Sequence, residues 1–157
     1  KKKSINAGVL SAMEPKVEQA FNKRLRPDAK HYFPGGKVVF TDVTIRHPAA
    51  PSYLKLAPGA ALDLAARKKV SVYSALAKGE HGKITPLAAS TYGRLHKDYS
   101  EFLNSLTGAA VDSGIISVSD AKSYRRNLVK EVAVRIQRGN SWILDMCSQR
   151  AVAGCKF

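Results

Sequence analysis

The apolar positions along the chain fall into two rhythms. In "SAMEPKVEQAFNKRLR", Ser11 to Arg26, the residues Met13, Val17, Ala20, Phe21 and Leu25 recur at helical spacing. Pro15 suits a first turn and the far end is basic, so the pattern predicts a helix from about Glu14 to Lys23. The period then drops to two. Ala29 to Phe33 and Lys37 to Ile45 read as the strands of a β-hairpin, with Pro34-Gly35-Gly36 as its turn. Alternation puts Val39, Thr41, Val43 and Ile45 on one face and Val38, Phe40, Asp42 and Thr44 on the other. Arg46 to Tyr53, with two prolines, is a loop.

Helical spacing returns in the Ala-rich run after Ala57 and predicts a helix from about Ala60 to Ala77, ended by Gly79. His81 to Ser90 reads as a short buried strand. Helices are expected at about Thr91 to Leu106, Ser119 to Gln137 and Asn140 to Ala151, with Ser119 or Asp120 capping the second and "RGN" separating the last two. This order predicts one α/β domain over 1–157: a small mixed sheet flanked by helices, core about 11–108, with a C-terminal helical part at about 119–152.

Composition sharpens the picture in two ways. The 157 residues carry 26 Lys and Arg against 12 Asp and Glu, a net charge of +14, which points to a polyanionic partner, nucleic acid first. No apolar run is long enough for a membrane span, and "KKKSINAGVL" lacks a signal-peptide core. It reads as the cut edge of a longer polypeptide. Cys147 and Cys155 have no metal-site spacing and are assigned no function.

One residue breaks the strand pattern. Asp42 places a carboxylate among Val and Phe, which is costly unless the charge is partnered. An ion pair to Arg46 or another base is the plain account. The chemical account is a second carboxylate. A hairpin can bring Asp28, at the mouth of its first strand, close to Asp42; alone, Pro27-Asp28 would only start a turn. Two adjacent carboxylates repel unless a cation lies between them, and hard oxygen ligands suit Mg²⁺ or Mn²⁺. Such an ion can polarise a phosphate and generate hydroxide. Lys68 and Lys69, on the helix expected beside the hairpin, could stabilise the extra negative charge of a phosphodiester transition state. Tyr73, one turn beyond Lys69, could bind phosphate or simply pack. In Tyr124 to Arg138, Leu128, Val132 and Ile136 form an apolar stripe, while Arg125, Arg126, Lys130, Arg135 and Arg138 offer a basic side to phosphates. Tyr92, Tyr99 and Trp142 read as core positions of helices, and His31 and His47 as loop or surface residues.

"RPD", thirteen residues, "DVT" and then a helix bearing a lysine resembles the PD-(D/E)XK nuclease superfamily. It is closest to the restriction-like endonuclease domain of site-specific non-LTR retrotransposons and related reverse-transcriptase-linked domains. The cap-snatching endonucleases of segmented negative-strand RNA viruses are similar in taking their lysine from a helix. The likeness runs from Arg26 to about Leu106. "PLAASTYG" resembles the P-x-x-x-E-T-x-G segment of the reverse-transcriptase-linked domains, with Ser90 where that pattern has Glu.

The resemblance implies a restriction-endonuclease-like fold and a nuclear enzyme that nicks DNA as part of a retroelement protein. It implies Asp28 and Asp42 as ligands of Mg²⁺ or Mn²⁺ and Lys69, four residues before Tyr73, as the catalytic lysine. Glu18 matches an upstream metal-binding acid by position, with Glu14 as the alternative, and Thr44 replaces the strand lysine. Arg26, Thr44, Lys68, Tyr73, Arg125 and Arg126 are the expected nucleic-acid contacts. DNA is favoured over RNA. The rivals are an RNA endonuclease of cap-snatching type and a catalytically inactive nucleic-acid-binding module.

Overall fold

The computed structural model describes residues 3–6, 8–13 and 26–152. Five strands, β1 (Lys3–Asn6), β2 (Val9–Met13), β3 (Ala29–Tyr32), β4 (Val38–Arg46) and β5 (Gly82–Ser90), lie side by side in that order. The first four are antiparallel neighbours. β5 runs parallel to β4, and a parallel neighbour requires a crossover. Helix α1 (Ala60–Gly79) supplies it. Helices α2 (Lys97–Asp112) and α3 (Ala121–Val152) follow. The result is a small mixed α/β sheet flanked by helices with a C-terminal helical part.

Alternation along β4 and β5 divides the core. Phe40 and Ile84 pack with Tyr73 and Ala77 of α1, and Ala88 packs with Leu62, Ala65 and Ala66. On the opposite face Val39 and Leu87 pack with Phe33, Val9 and Phe102 of α2. Small alanines let α1 lie close against β5. Each layer buries its own apolar stripe, which is what holds a helix-sheet-helix sandwich together.

The expected hairpin is present, its turn a single 3-10 turn at Pro34–Gly36. The α1 and β5 expectations also hold to within two residues, except that α1 includes Gly79 and the chain leaves it through His81 at φ 52°. Three expectations need correction. The β1–β2 hairpin was not foreseen, because its strands are short and lysine-flanked; Met13, assigned to a helical stripe, ends β2 and is exposed. Its turn holds Gly8 at φ 67°, where a Cβ would collide with Ser113 beyond α2. The expected helix from Glu14 to Lys23 lies outside the described residues.

The helix expected from Thr91 begins only at Lys97. Residues 91–96 first make a turn, with Gly93 at φ 86° and Leu95 bridging Ala89, and His96 then caps α2 by accepting from the Asp98 N–H at 3.3 Å. Finally, "RGN" does not divide the last helix. α3 runs unbroken through Gly139 and Asn140, because Gln137 and Asn140 donate to the Thr91 carbonyl at 3.0 and 2.8 Å and dock that segment on the sheet's end.

β5 is an edge strand. The Ala88 carbonyl accepts from the His96 N–H at 2.9 Å, so residues 84, 86 and 88 turn their backbone groups away from β4. Pro86, in the middle of that outward row, has no N–H to offer.

Candidate active site

β4 carries Asp42 at its centre, on the α1 side, with the side chain 5% exposed. A bare carboxylate there would be prohibitively costly. Lys69 Nζ of α1 meets Asp42 Oδ1 at 2.5 Å, and this is the base that allows an acid in the strand. Arg46, the other candidate, has a buried Nε with no hydrogen-bond partner among the described residues. Lys69 itself is 28% exposed, so its ammonium sits at the boundary between the acid and solvent. It also lies 5.9 Å from the Tyr73 ring centroid.

Asp28 arrives from the other arm of the hairpin. Pro27 before it is buried, which fixes the entry to β3. Asp28 Oδ2 accepts the backbone N–H of Val43 at 2.7 Å, next in sequence to Asp42. The remaining oxygen of this exposed residue is not committed to a hydrogen bond among the described residues. Tyr73 closes the group. Its hydroxyl donates to the Arg26 carbonyl at 3.1 Å. Burial first, then the neighbouring Asp42 carboxylate and the charge of Asp28, push its pKa up to about 12. Tyr73 therefore stays protonated and acts as a donor that ties the residue before Pro27 to α1.

Asp28, Asp42, Lys69 and Tyr73 thus converge, as the spacing predicts. Thr44 lies two residues further along the same face, partly buried opposite Ala88. Lys68 is exposed, and Arg26, also exposed, meets the group through its carbonyl. Arg125 and Arg126 are not brought to it. Arg125 bonds Asn104 of α2, and α2 covers the face opposite Asp42. Glu18 and Glu14 lie outside the described residues. Ser90, at the position of the pattern's Glu, is fully buried and accepts the Arg94 N–H at 3.0 Å, so it serves the turn after β5.

Several residues play parts that the sequence reading missed. His31 is not a surface residue. It bridges Ser11 at 2.8 Å and Thr41 at 2.9 Å, and burial pulls its pKa down to about 4. His96 is buried and joins Asp63 of α1 at 3.0 Å. Tyr92 and Trp142 are exposed and not core, while Tyr99 does pack against the core. Isolated histidines and aromatics carry no periodic signal that would have placed them.

No protein-family model, curated protein or solved structure matches this chain. No helix among the described residues is long and apolar enough to cross a membrane.

Proposed function

We propose that the protein is a metal-dependent endonuclease of restriction-like fold that hydrolyses phosphodiester bonds in DNA, within a retroelement protein. The observation that carries this reading is the buried Asp42 facing Lys69, with Asp28 fastened to the adjoining peptide. A pure nucleic-acid binder gains nothing from two acids set beside each other against a polyanion.

The donor set suits a hard divalent cation. Mg²⁺ is commonly held by one or two carboxylates, its other positions taken by water and substrate phosphate. Asp28 and Asp42 would hold Mg²⁺ or Mn²⁺, and the ion would supply polarisation of the phosphate and activation of water. The remaining work falls to the chain. Lys69 places a positive charge where the phosphorane gathers negative charge, or orients the attacking water. The Val43 N–H holds Asp28 in register with Asp42. Tyr73 stays protonated and holds the hairpin against α1.

The second reading is an inactive, nuclease-derived binding module. It is favoured by two residues: Thr44 stands where the superfamily has its strand lysine, and Ser90, where the pattern has Glu, is spent on the turn after β5. The Asp42–Lys69 pair would then be structural.

Incubation of supercoiled plasmid, single-stranded DNA and RNA with the protein in Mn²⁺ or Mg²⁺ separates these readings. Wild type is expected to cut DNA, EDTA to stop it, and Asp42→Asn to abolish cutting while leaving DNA binding. Preferential cutting of RNA would select the cap-snatching type of chemistry. No cutting, with salt-sensitive binding intact in both proteins, would select the binding module.

A further inference from the structure

The turn after β5 carries an aromatic residue that the proposed chemistry does not use. Tyr92 is 67% exposed, yet it stands on one of the most heavily braced turns of the molecule. Ser90 N–H donates to the Arg94 carbonyl at 2.8 Å, Gly93 N–H to the Ser90 carbonyl at 2.9 Å, and Thr91 N–H to the Arg46 carbonyl at 2.9 Å. Gln137 and Asn140 of α3 both grip the Thr91 carbonyl. His47 is fastened to the Thr91 hydroxyl through Nδ1 at 2.8 Å. Its ring meets the Tyr92 ring at 5.4 Å and 68°, an edge contact. An edge contact occupies little of a ring, so a broad π-surface of Tyr92 is left to solvent on a rigid mount.

Two arginines stand close in sequence to His47 and Tyr92. Arg46 precedes His47, and its buried Nε has no partner among the described residues. Arg94 follows the turn and lies against Gly59, where α1 begins. A rigid exposed aromatic ring on a chain of net charge +14 is the combination that holds unpaired bases: the ring stacks and cations follow the backbone. β4 links the two places. Asp42 lies on β4 and His47 just past its end, about 16 Å apart along the strand at the usual rise, a few nucleotides of an extended strand rounding the end of the sheet. Resting on the reading of the Asp42 site as a nuclease centre, we propose that Tyr92, set by His47, stacks an unpaired base of single-stranded DNA flanking the scissile phosphate. The enzyme would accordingly favour substrates that are single-stranded or melted beside the cut.

Fluorescence anisotropy in EDTA, where no cutting occurs, tests this with a labelled single strand and a duplex of equal length. Wild type, Tyr92→Ala, Tyr92→Phe and His47→Ala are compared, with thermal melting to confirm that each is folded. Tyr92→Ala is expected to weaken single-strand binding about fivefold or more and to leave duplex binding unchanged. Tyr92→Phe, which keeps the ring, should bind like wild type, and His47→Ala should fall between them. Equal single-strand affinity for wild type and Tyr92→Ala would overturn the stacking role and leave the nuclease reading standing. So would equal losses on strand and duplex. If wild type binds neither polymer, the stacking role and the nucleic-acid reading both fail.

Discussion

Lys69 and Asp42 are unequal partners. The acid's side chain is 5% exposed and the lysine's 28%, so the two halves of the pair respond differently to loss of the other. Asp42→Asn frees an ammonium that can turn to water, and a cost of about 1 kcal/mol is expected. Lys69→Met leaves a buried carboxylate without its counter-charge, and about 3 kcal/mol is expected. Urea unfolding of both variants at neutral pH checks the order; equal losses would mean that the pair is not what makes Asp42 tolerable. His31 gives a separate handle. Its pKa is held at about 4 in the folded protein against an ordinary 6.5, because burial penalises the charged ring. The folded state therefore refuses a proton that the unfolded chain accepts. Its neutral form costs nothing above pH 6.5, and stability drains away as pH falls from there toward 4. His31→Gln should show a shallower loss of urea midpoint between pH 7 and pH 5 than wild type. At this scale the sequence was informative wherever a residue violated its local pattern. Asp42 in a strand demanded a partner, and the lysine was found one helix away. His31 and His96 violated nothing, so their buried hydrogen bonds were not legible.

Elements were legible in proportion to the length of their rhythm. β4, with nine residues in alternation, and α1, with its alanine stripe, were placed to within about two residues. The four-residue β1 was not, since so short a strand has no period of its own and takes its identity from pairing with β2. Local signals also lost to tertiary contacts. Gly139-Asn140 reads as a helix stop, but Asn140 is bound to the Thr91 carbonyl across the sheet's end, and that contact carries α3 through. Gly139 is then a weak point with no role that needs it: a Cβ placed there meets nothing within 4 Å. Gly139→Ala should stabilise the protein by about 0.5–1 kcal/mol, seen as a higher melting temperature. A fall would mean that the chain is bent or strained at that point.

The molecule as a whole joins two asymmetries. Its charge is +14, and its sheet ends on one side at β5, whose outer backbone row is paired to residues 94–96 at Ala88 and Ser90 and has no strand partner from Pro86 back among the described residues. A groove of about 350 Å³, lined by Lys83, Ile84, Pro86 and Phe102 among others, follows that side. An open strand edge is a template on which a second chain can build. Pro86 sits where such a ladder would need its next donor, and the missing N–H breaks it. The residue thus guards colloidal behaviour as well as filling the core. Because Pro86 is itself fully buried, Pro86→Ala, which restores the N–H without adding bulk, should leave the single molecule folded yet promote aggregation, visible as rising light scattering with concentration and growing thioflavin-positive material. High salt, by screening the positive charge that otherwise keeps copies apart, should hasten it. A proline that looks like a flaw in a β-strand is then what keeps a concentrated solution of this protein clear.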